Sequence, residues 1–318
     1  MSLRPVKRVV ESTPTMEGAG VKLHRGFGFG ETSEFDPFLL FDDFRNDRPE
    51  DFLAGFPWHP HRGIETITYV LAGTVDHGDS LGNRGSLGAG DVQWMTAGSG
   101  ILHQEMPKGD PHGRMHGFQL WSNLPKSLKM TNPRYQDVLA KDIPEVTDDD
   151  GTRVRIVVGD FWGQRGPVEG VAADPRYLDI SVPPNRTKRI PVEASRHAFA
   201  YVFAGSGTFR DSSKPLPVQT ELVGVSDEAT PFDSPSFDAD RSLAQGKPSM
   251  LGNRSLVLFD SGDEITVTAG DEGIRFLLVS GRPLEEPVAW YGPIVMNTRA
   301  ELQQAYSELK NGTFIKHK

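Results

Sequence analysis

An all-β protein built from two similar domains, each a β-sandwich or barrel, is the fold class that the sequence predicts. Three observations predict it. Short β-branched and aromatic runs recur at close spacing between clusters of Gly, Asn and Asp. Two stretches of the first half are echoed in the second, and only the last twenty or so residues carry a clear helical pattern.

The elements follow in order along the 318 residues. Val21 to Arg45 is rich in Gly, Phe and acidic residues and reads as short strands joined by turns. Gly26, Gly28 and Gly30 alternate with Phe, but no helix-forming stretch follows, so a bend in a β structure is expected and not a phosphate-cradling loop. Asp47 to Ala54 is charged and reads as a surface turn or a single helical turn. Ile64 to Leu71 is a strong strand closed by Gly73, Asp79 to Gly90 is dense in turn residues, and Val92 to Thr96 is a further strand. The loop Ala97-Gly98-Ser99-Gly100 leads into His103, and Met115 to Asn123 is again strand-like. Asp137 to Asp150, acidic and polar, reads as a linker, which divides the chain at about residue 140 into a domain 1–140 and a domain 141–318.

Strands resume at Val154 to Val158, Tyr177 to Val182 and Ala198 to Phe203, and here the repeat emerges. Tyr69-Val70-Leu71-Ala72-Gly73 is echoed by Tyr201-Val202-Phe203-Ala204-Gly205. Gly90-Asp91, Thr96-Ala97-Gly98 and Ile101 are echoed by Gly262-Asp263, Thr268-Ala269-Gly270 and Ile274. Between the echoes the second copy is longer by a Ser-, Pro- and Asp-rich segment, 211–254, whose prolines argue for a mobile insertion. At the C-terminus, Thr298 and Glu301 form a capping-box pattern, Leu302, Ala305, Tyr306 and Leu309 share one face, and Gly312 ends the helix. Its apolar stripe is expected to pack on the sheet of its own domain.

Composition removes several function classes. There is no cysteine, so disulfides, thiolate metal sites and cysteine nucleophiles are excluded, and any metal must be held by nitrogen and oxygen. A net charge of −9 argues against direct nucleic-acid binding. No stretch approaches a membrane span, and the N-terminal MSLRPVKRVVESTP lacks the apolar core of a signal peptide, so a cytoplasmic location is expected.

The chemistry concentrates between Phe56 and Met106. His59-Pro60-His61 and His103-Gln104-Glu105 each place two ligand-type side chains two residues apart, on one side of an extended strand. Side by side, the two pairs offer one ion three imidazoles and a carboxylate, a donor set that suits Fe(II), Mn(II), Ni(II), Co(II) or Zn(II). Pro60 stiffens the first pair. Counting back from Tyr201 sets His59 against Pro191 and His61 against Glu193. Counting forward sets His103 against Phe276 and Glu105 against Leu278. Copy two thus lacks the second ligand pair, and the scaffold alone does not demand these histidines. Glu65 is the competing carboxylate, but it lies roughly 13 Å past His61 along an ideal strand and reaches the ion only if Gly63 bends the chain. A cross-strand or outer role is expected for it. His24, His77, His112, His116, His197 and His317 read as satisfied or solvated, and Trp58, Trp94, Met95, Met106, Phe118 and Trp121 as core, some of them available to line an apolar mouth over the metal. Gln119 is a candidate polar contact there.

The stretches FPWHPHRGIETITYVLAG, GDVQWMTAGSGILHQEMP, HGFQLWSNLP and WYGPIVMNTRAELQQA resemble the pirin family of the cupin superfamily over nearly the whole chain except 211–254. The resemblance implies a bicupin: two jelly-roll β-barrels and one divalent metal ion in the first. The ligands it implies are His59, His61, His103 and Glu105, whereas the general cupin pattern would use the position of Glu65. It favours Fe(II), with Mn, Ni, Co, Zn or Cu as alternatives. Some members are similar to quercetin 2,3-dioxygenases, which implies a flavonol-like aromatic substrate and O₂, with Glu105 as ligand and transient catalytic base. Other members are described as iron-dependent regulators, which implies the alternative of a metal- or redox-sensing protein with a protein partner.

Overall fold

The computed structural model describes residues 2–211 and 254–317, together with the backbone of a strand at Pro215–Gln219. Apart from that strand, the segment 211–254 expected to be mobile falls almost wholly outside the described residues. The first half runs through β1 (Val6–Glu11), β2 (Thr13–Glu17), β3 (Val21–Phe27), the short helix α1 (Thr32–Phe35), β4 (Phe38–Asp43), β5 (Phe56–His61), β6 (Ile64–Ala72), β7 (Thr74–Asp79), β8 (Arg84–Leu87), β9 (Val92–Thr96), β10 (Ile101–Lys108), β11 (His116–Asn123) and β12 (Arg134–Val138). The second continues with β13 (Glu145–Thr147), β14 (Arg153–Val158), β15 (Asp160–Phe161), β16 (Gln164–Arg165), β17 (Arg176–Val182), β18 (Thr187–Pro191), β19 (His197–Arg210), β20 (Pro215–Gln219), β21 (Ser255–Phe259), β22 (Glu264–Gly281), β23 (Ala289–Tyr291), β24 (Ile294–Met296) and α2 (Arg299–Lys310). The all-β, two-barrel expectation holds, and α2 carries the capping box read from Thr298 and Glu301.

Two antiparallel sheets form the first barrel, in the orders β12-β9-β6-β11-β4-β3-β2 and β5-β10-β7-β8. The second is built on one large sheet, β1-β21-β19-β22-β17-β14-β13, with β18 on β22 and β20 on β19. Strand β6 is buried on both faces, which explains its unbroken β-branched and aromatic run: one face lines the barrel and the other packs on the partner barrel. That seam is the largest apolar cluster. Phe27, Phe41, Trp94 and Phe118 of the first barrel meet Tyr177, Phe199, Leu256 and Leu277 of the second.

Three local expectations are corrected. Asp137–Asp150 is not a plain linker, because β12 ends at Val138 and β13 pairs with β14 inside it. Helix α2 does not lie on the large second sheet; it covers the β23–β24 hairpin through Leu302, Ala305 and Tyr306, against Ile294 and Met296. That hairpin turns back onto the first barrel, where the Val295 N–H donates to the Arg62 carbonyl at 3.0 Å. The second sequence echo joins segments that are not equivalent. Thr96-Ala97-Gly98 begins at the last residue of β9 and leaves it, whereas Thr268-Ala269-Gly270 lies inside the continuous β22.

Candidate metal centre

Strand β5 is an edge strand, paired only with β10 in its sheet. An edge tolerates Pro57 and Pro60, which have no N–H to give a second neighbour. In the β5–β10 register His103 stands directly opposite His59 and Ile101 opposite His61, so three imidazoles converge. Each of the three offers a ring nitrogen, and these atoms lie within 4.8 Å of one another.

The acceptors that His59 and His61 face fix their tautomers. His59 Nδ1 lies 2.9 Å from the Pro57 carbonyl and His61 Nδ1 3.1 Å from the Pro293 carbonyl. A carbonyl only accepts, so both Nδ1 atoms carry the proton and both Nε2 atoms present lone pairs. Those two Nε2 atoms are 3.0 Å apart, and both nitrogens of buried His103 have no hydrogen-bond partner among the described residues. Burial lowers the pKa of all three imidazoles, well below the ordinary value for His61 and His103, and so keeps them in the neutral ligand form. Converging lone pairs with no proton to share fit a cation.

Glu105 projects from β10 into the same barrel but is outside the 4.8 Å group. Its Oε1 lies 2.9 Å from Thr68 Oγ1, which is 2.8 Å from Gln119 Oε1. One hydroxyl has one proton. With the Gln119 amide turned so that its NH₂ donates to Thr68, the Thr68 hydroxyl donates to Glu105 and both contacts are satisfied. Burial pushes the Glu105 carboxyl up to about 7 against that hydrogen bond. Glu65 faces the other way. Gly63 has φ +77° and reverses the alternation between β5 and β6, and the Glu65 carboxylate accepts from Thr96 Oγ1 at 2.7 Å on the seam side of the sheet. The bend at Gly63 thus turns Glu65 away from the three imidazoles, into the cross-strand role expected of it.

Beside the histidines opens a cavity of about 560 Å³, lined by Leu40, Phe44, Phe56, Trp58, Trp121 and Trp290 among others, with Gln119 and Thr68 in its wall. Trp121 and His61 meet at right angles, with ring centroids 5.0 Å apart. Trp58, expected in the core, is 54% exposed at the mouth, whereas Trp94, Met95 and Phe118 are core as read. His77, His116 and His197 also depart from expectation: both His77 nitrogens, His116 Nε2 and His197 Nδ1 are buried with no hydrogen-bond partner among the described residues. Thr68 and the Pro293 carbonyl were missed. A polar residue at inward parity in β6 could have signalled the first; nothing local to His61 signals a carbonyl 232 residues away.

The second barrel provides the control, in a corrected register. With Tyr69 set against Tyr201, β10 corresponds to the first half of β22 and β5 to β18. Counting along the paired strands sets His59 against Ile190, His61 against Val192, His103 against Ile265 and Glu105 against Val267. All four belong to one buried aliphatic cluster. Copy two thus fills with hydrocarbon the space that copy one lines with three imidazoles and a carboxylate.

Residues 20–122 match the family model for pirin and residues 177–315 that for the pirin C-terminal cupin domain. The chain belongs to the pirin family. A pirin-like protein of Caulobacter vibrioides is 40% identical over 315 residues, covering 99% of this chain and 100% of that one. Among solved structures, a quercetin 2,3-dioxygenase from Acinetobacter baumannii aligns with TM-score 0.78 and 28% identity over 98% of each chain. A bacterial pirin from Escherichia coli in complex with nickel(II), 21% identical over 87% of this chain and 99% of that one, shares the fold with TM-score 0.58. Among the described residues no helix is long and apolar enough to cross a membrane.

Proposed function

We propose that this pirin is a mononuclear metal-dependent dioxygenase that opens flavonol-type rings with O₂. The observation that carries the reading is the open, aromatic-walled cavity of about 560 Å³ beside three neutral, convergent imidazoles. A sealed cluster would favour a non-catalytic sensor; an open one admits a flat substrate. His59, His61 and His103 would hold the ion with Glu105 as the fourth ligand, and Fe(II) is the favoured metal. When bound, the ion supplies Lewis acidity that lowers the pKa of a substrate hydroxyl. Glu105, oriented by Thr68, accepts that proton at a carboxylate oxygen, while the flat ring packs against the apolar wall of Trp58, Trp121 and Trp290. The similarity to a quercetin 2,3-dioxygenase over 98% of the chain supports the same substrate class.

Anaerobically purified, metal-loaded protein given quercetin is expected to consume O₂ and release carbon monoxide, and His61→Ala to abolish both. Metal-loaded protein that leaves the flavonol and O₂ unchanged would overturn the reading.

A further inference from the structure

The cavity wall away from the histidines carries three charged side chains, Glu17, Arg25 and Asp42. They stand at the end of a rung of polar residues that are direct cross-strand partners: Arg25 with Asp42, Asp42 with Gln119, Gln119 with Thr68. Thr68 touches Glu105. Asp42 lies two strands from Thr68 and Arg25 three, roughly 10 and 14 Å. The rung thus leads from the candidate metal centre to a charged far wall, with an apolar body of cavity beside it.

An arginine in a pocket ordinarily marks a site for a carboxylate, because its paired N–H groups match two oxygens. Here those groups are occupied. Nε and Nη2 of Arg25 each donate to Asp42 at 2.8 Å, and Nη1 lies 2.9 Å from Glu17. One cation against two carboxylates leaves the wall with a formal charge of −1. Both carboxylates retain lone pairs for a donor, and three of the five Arg25 N–H groups, among them the Nε and Nη2 pair that would grip a carboxylate side-on, are already committed.

Resting on the dioxygenase reading, we infer that Glu17, Arg25 and Asp42 select the substrate by the charge at its far end: phenolic hydroxyls are accepted as donors, and a carboxylate or sulfonate in their place is rejected. The preferred ligand is an uncharged polyhydroxylated aromatic, not an aromatic acid.

The test uses full-length, metal-loaded protein under anaerobic conditions. Quenching of the cavity tryptophans reports binding of three flavonols that share one head and differ in the pendant ring, which is bare, carries two hydroxyls or carries a carboxylate. The dihydroxylated ligand is expected to bind at least about ten-fold more tightly than the carboxylated one. Glu17→Gln, which changes a partly exposed side chain, is expected to improve carboxylate binding about five-fold or more with little change for the bare flavonol. Asp42→Asn, which removes one carboxylate charge and releases one of the two paired donors of Arg25, acts in the same direction. Equal or tighter binding of the carboxylated ligand by the unmutated protein, an unaltered preference in Glu17→Gln, or no binding of any of the three would overturn the inference. The dioxygenase reading fails separately: the expected binding order without O₂ consumption on aeration sinks that reading alone, and turnover without the binding order sinks the selection alone.

Discussion

Two imidazole nitrogens facing each other at 3.0 Å, each with its proton committed to a carbonyl across the ring, create a repulsion that a shared cation removes. A proton would serve as well in water, but burial pushes both pKa values down and disfavours the charged pair. A metal ion is therefore expected to bind and to stabilise the native state by mass action, by about 4 kcal/mol at a thousand times its Kd. His61→Ala removes the most buried of the two β5 ligands and is expected to reduce metal content from about one ion per chain to near background, while Glu65→Gln, whose side chain faces the seam, retains it. Elemental analysis of the two variants after anaerobic purification checks this, and equal loss in both would reject the assignment of faces. The convergence of His59, His61 and His103 was legible in the sequence, because the two-residue period of a strand needs no tertiary information. What that period cannot see is a residue such as Gly63 with positive φ, where a built Cβ would fall 1.9 Å from the Val295 carbonyl oxygen; strand parity alone would set Glu65 on the face of His61, and only its distance along the strand argued for an outer role.

The element that completes the centre is the C-terminal hairpin with α2. Arg62, next to His61 and 2% exposed, donates to Glu308 of α2 at 2.7 Å and to the Phe314 carbonyl at 2.8 Å, with its guanidinium over the Phe314 ring. Lys129 binds the Gly63 and Val295 carbonyls and Asn123, tying the hairpin to the turn after β5. Through these contacts the hairpin holds the Pro293 carbonyl that orients His61. Burial alone would raise the Glu308 carboxyl, but hydrogen bonds from Lys316, Arg62 and Gln304 outweigh it and hold it at about 2, against an ordinary 4.5. The sign follows: a depressed carboxylate stabilises the fold fully above pH 4.5 and loses that contribution as pH falls toward 2. Proteolytic release of α2 is therefore expected to rise across that window, and Glu308→Gln to expose α2 already at neutral pH with a flatter profile. A wild-type profile that stays flat from pH 5 to 2 would contradict the role of the pair. The helix was readable from its cap and stripe, yet its partner was not, because an apolar stripe states how much surface must be covered and not which sheet covers it. Strand count misled in a similar way. In copy one β10 and β11 are separate strands, while in copy two β22 runs on without a break, so an echo of Gly, Thr and Ala placed Phe276 and Leu278 one strand too late.

At the scale of the whole molecule the two barrels exchange both covalent segments and polar contacts. Strand β1 leaves the first half to pair with β21 of the second sheet, and the C-terminal hairpin returns to the first barrel. Across the apolar seam the repeated tyrosines each reach an aspartate of the other barrel: Tyr69 Oη donates to Asp179 at 2.7 Å and Tyr201 Oη to Asp43 at 2.9 Å. The aspartates sit on equivalent strands, β4 and β17, and each meets arginine, Arg45 and Arg254 at Asp43 and Arg275 at Asp179. Burial raises both phenol pKa values, so the hydroxyls remain donors over the working pH range. A buried carboxylate that loses a donor bears an unmet desolvation cost, so Tyr69→Phe and Tyr201→Phe are each expected to destabilise the protein by about 1–3 kcal/mol with little change in packing. The pairs share no residue, and the double variant is expected to be additive to within about 0.5 kcal/mol. Because the seam fastens the barrels into one unit, urea unfolding followed by tryptophan fluorescence and by far-UV circular dichroism should give a single coincident transition in all four proteins, shifted to lower midpoint in the variants. Separation of the two probes in the unmutated protein would show that the barrels unfold independently and that the tyrosine–aspartate pairs do not couple them.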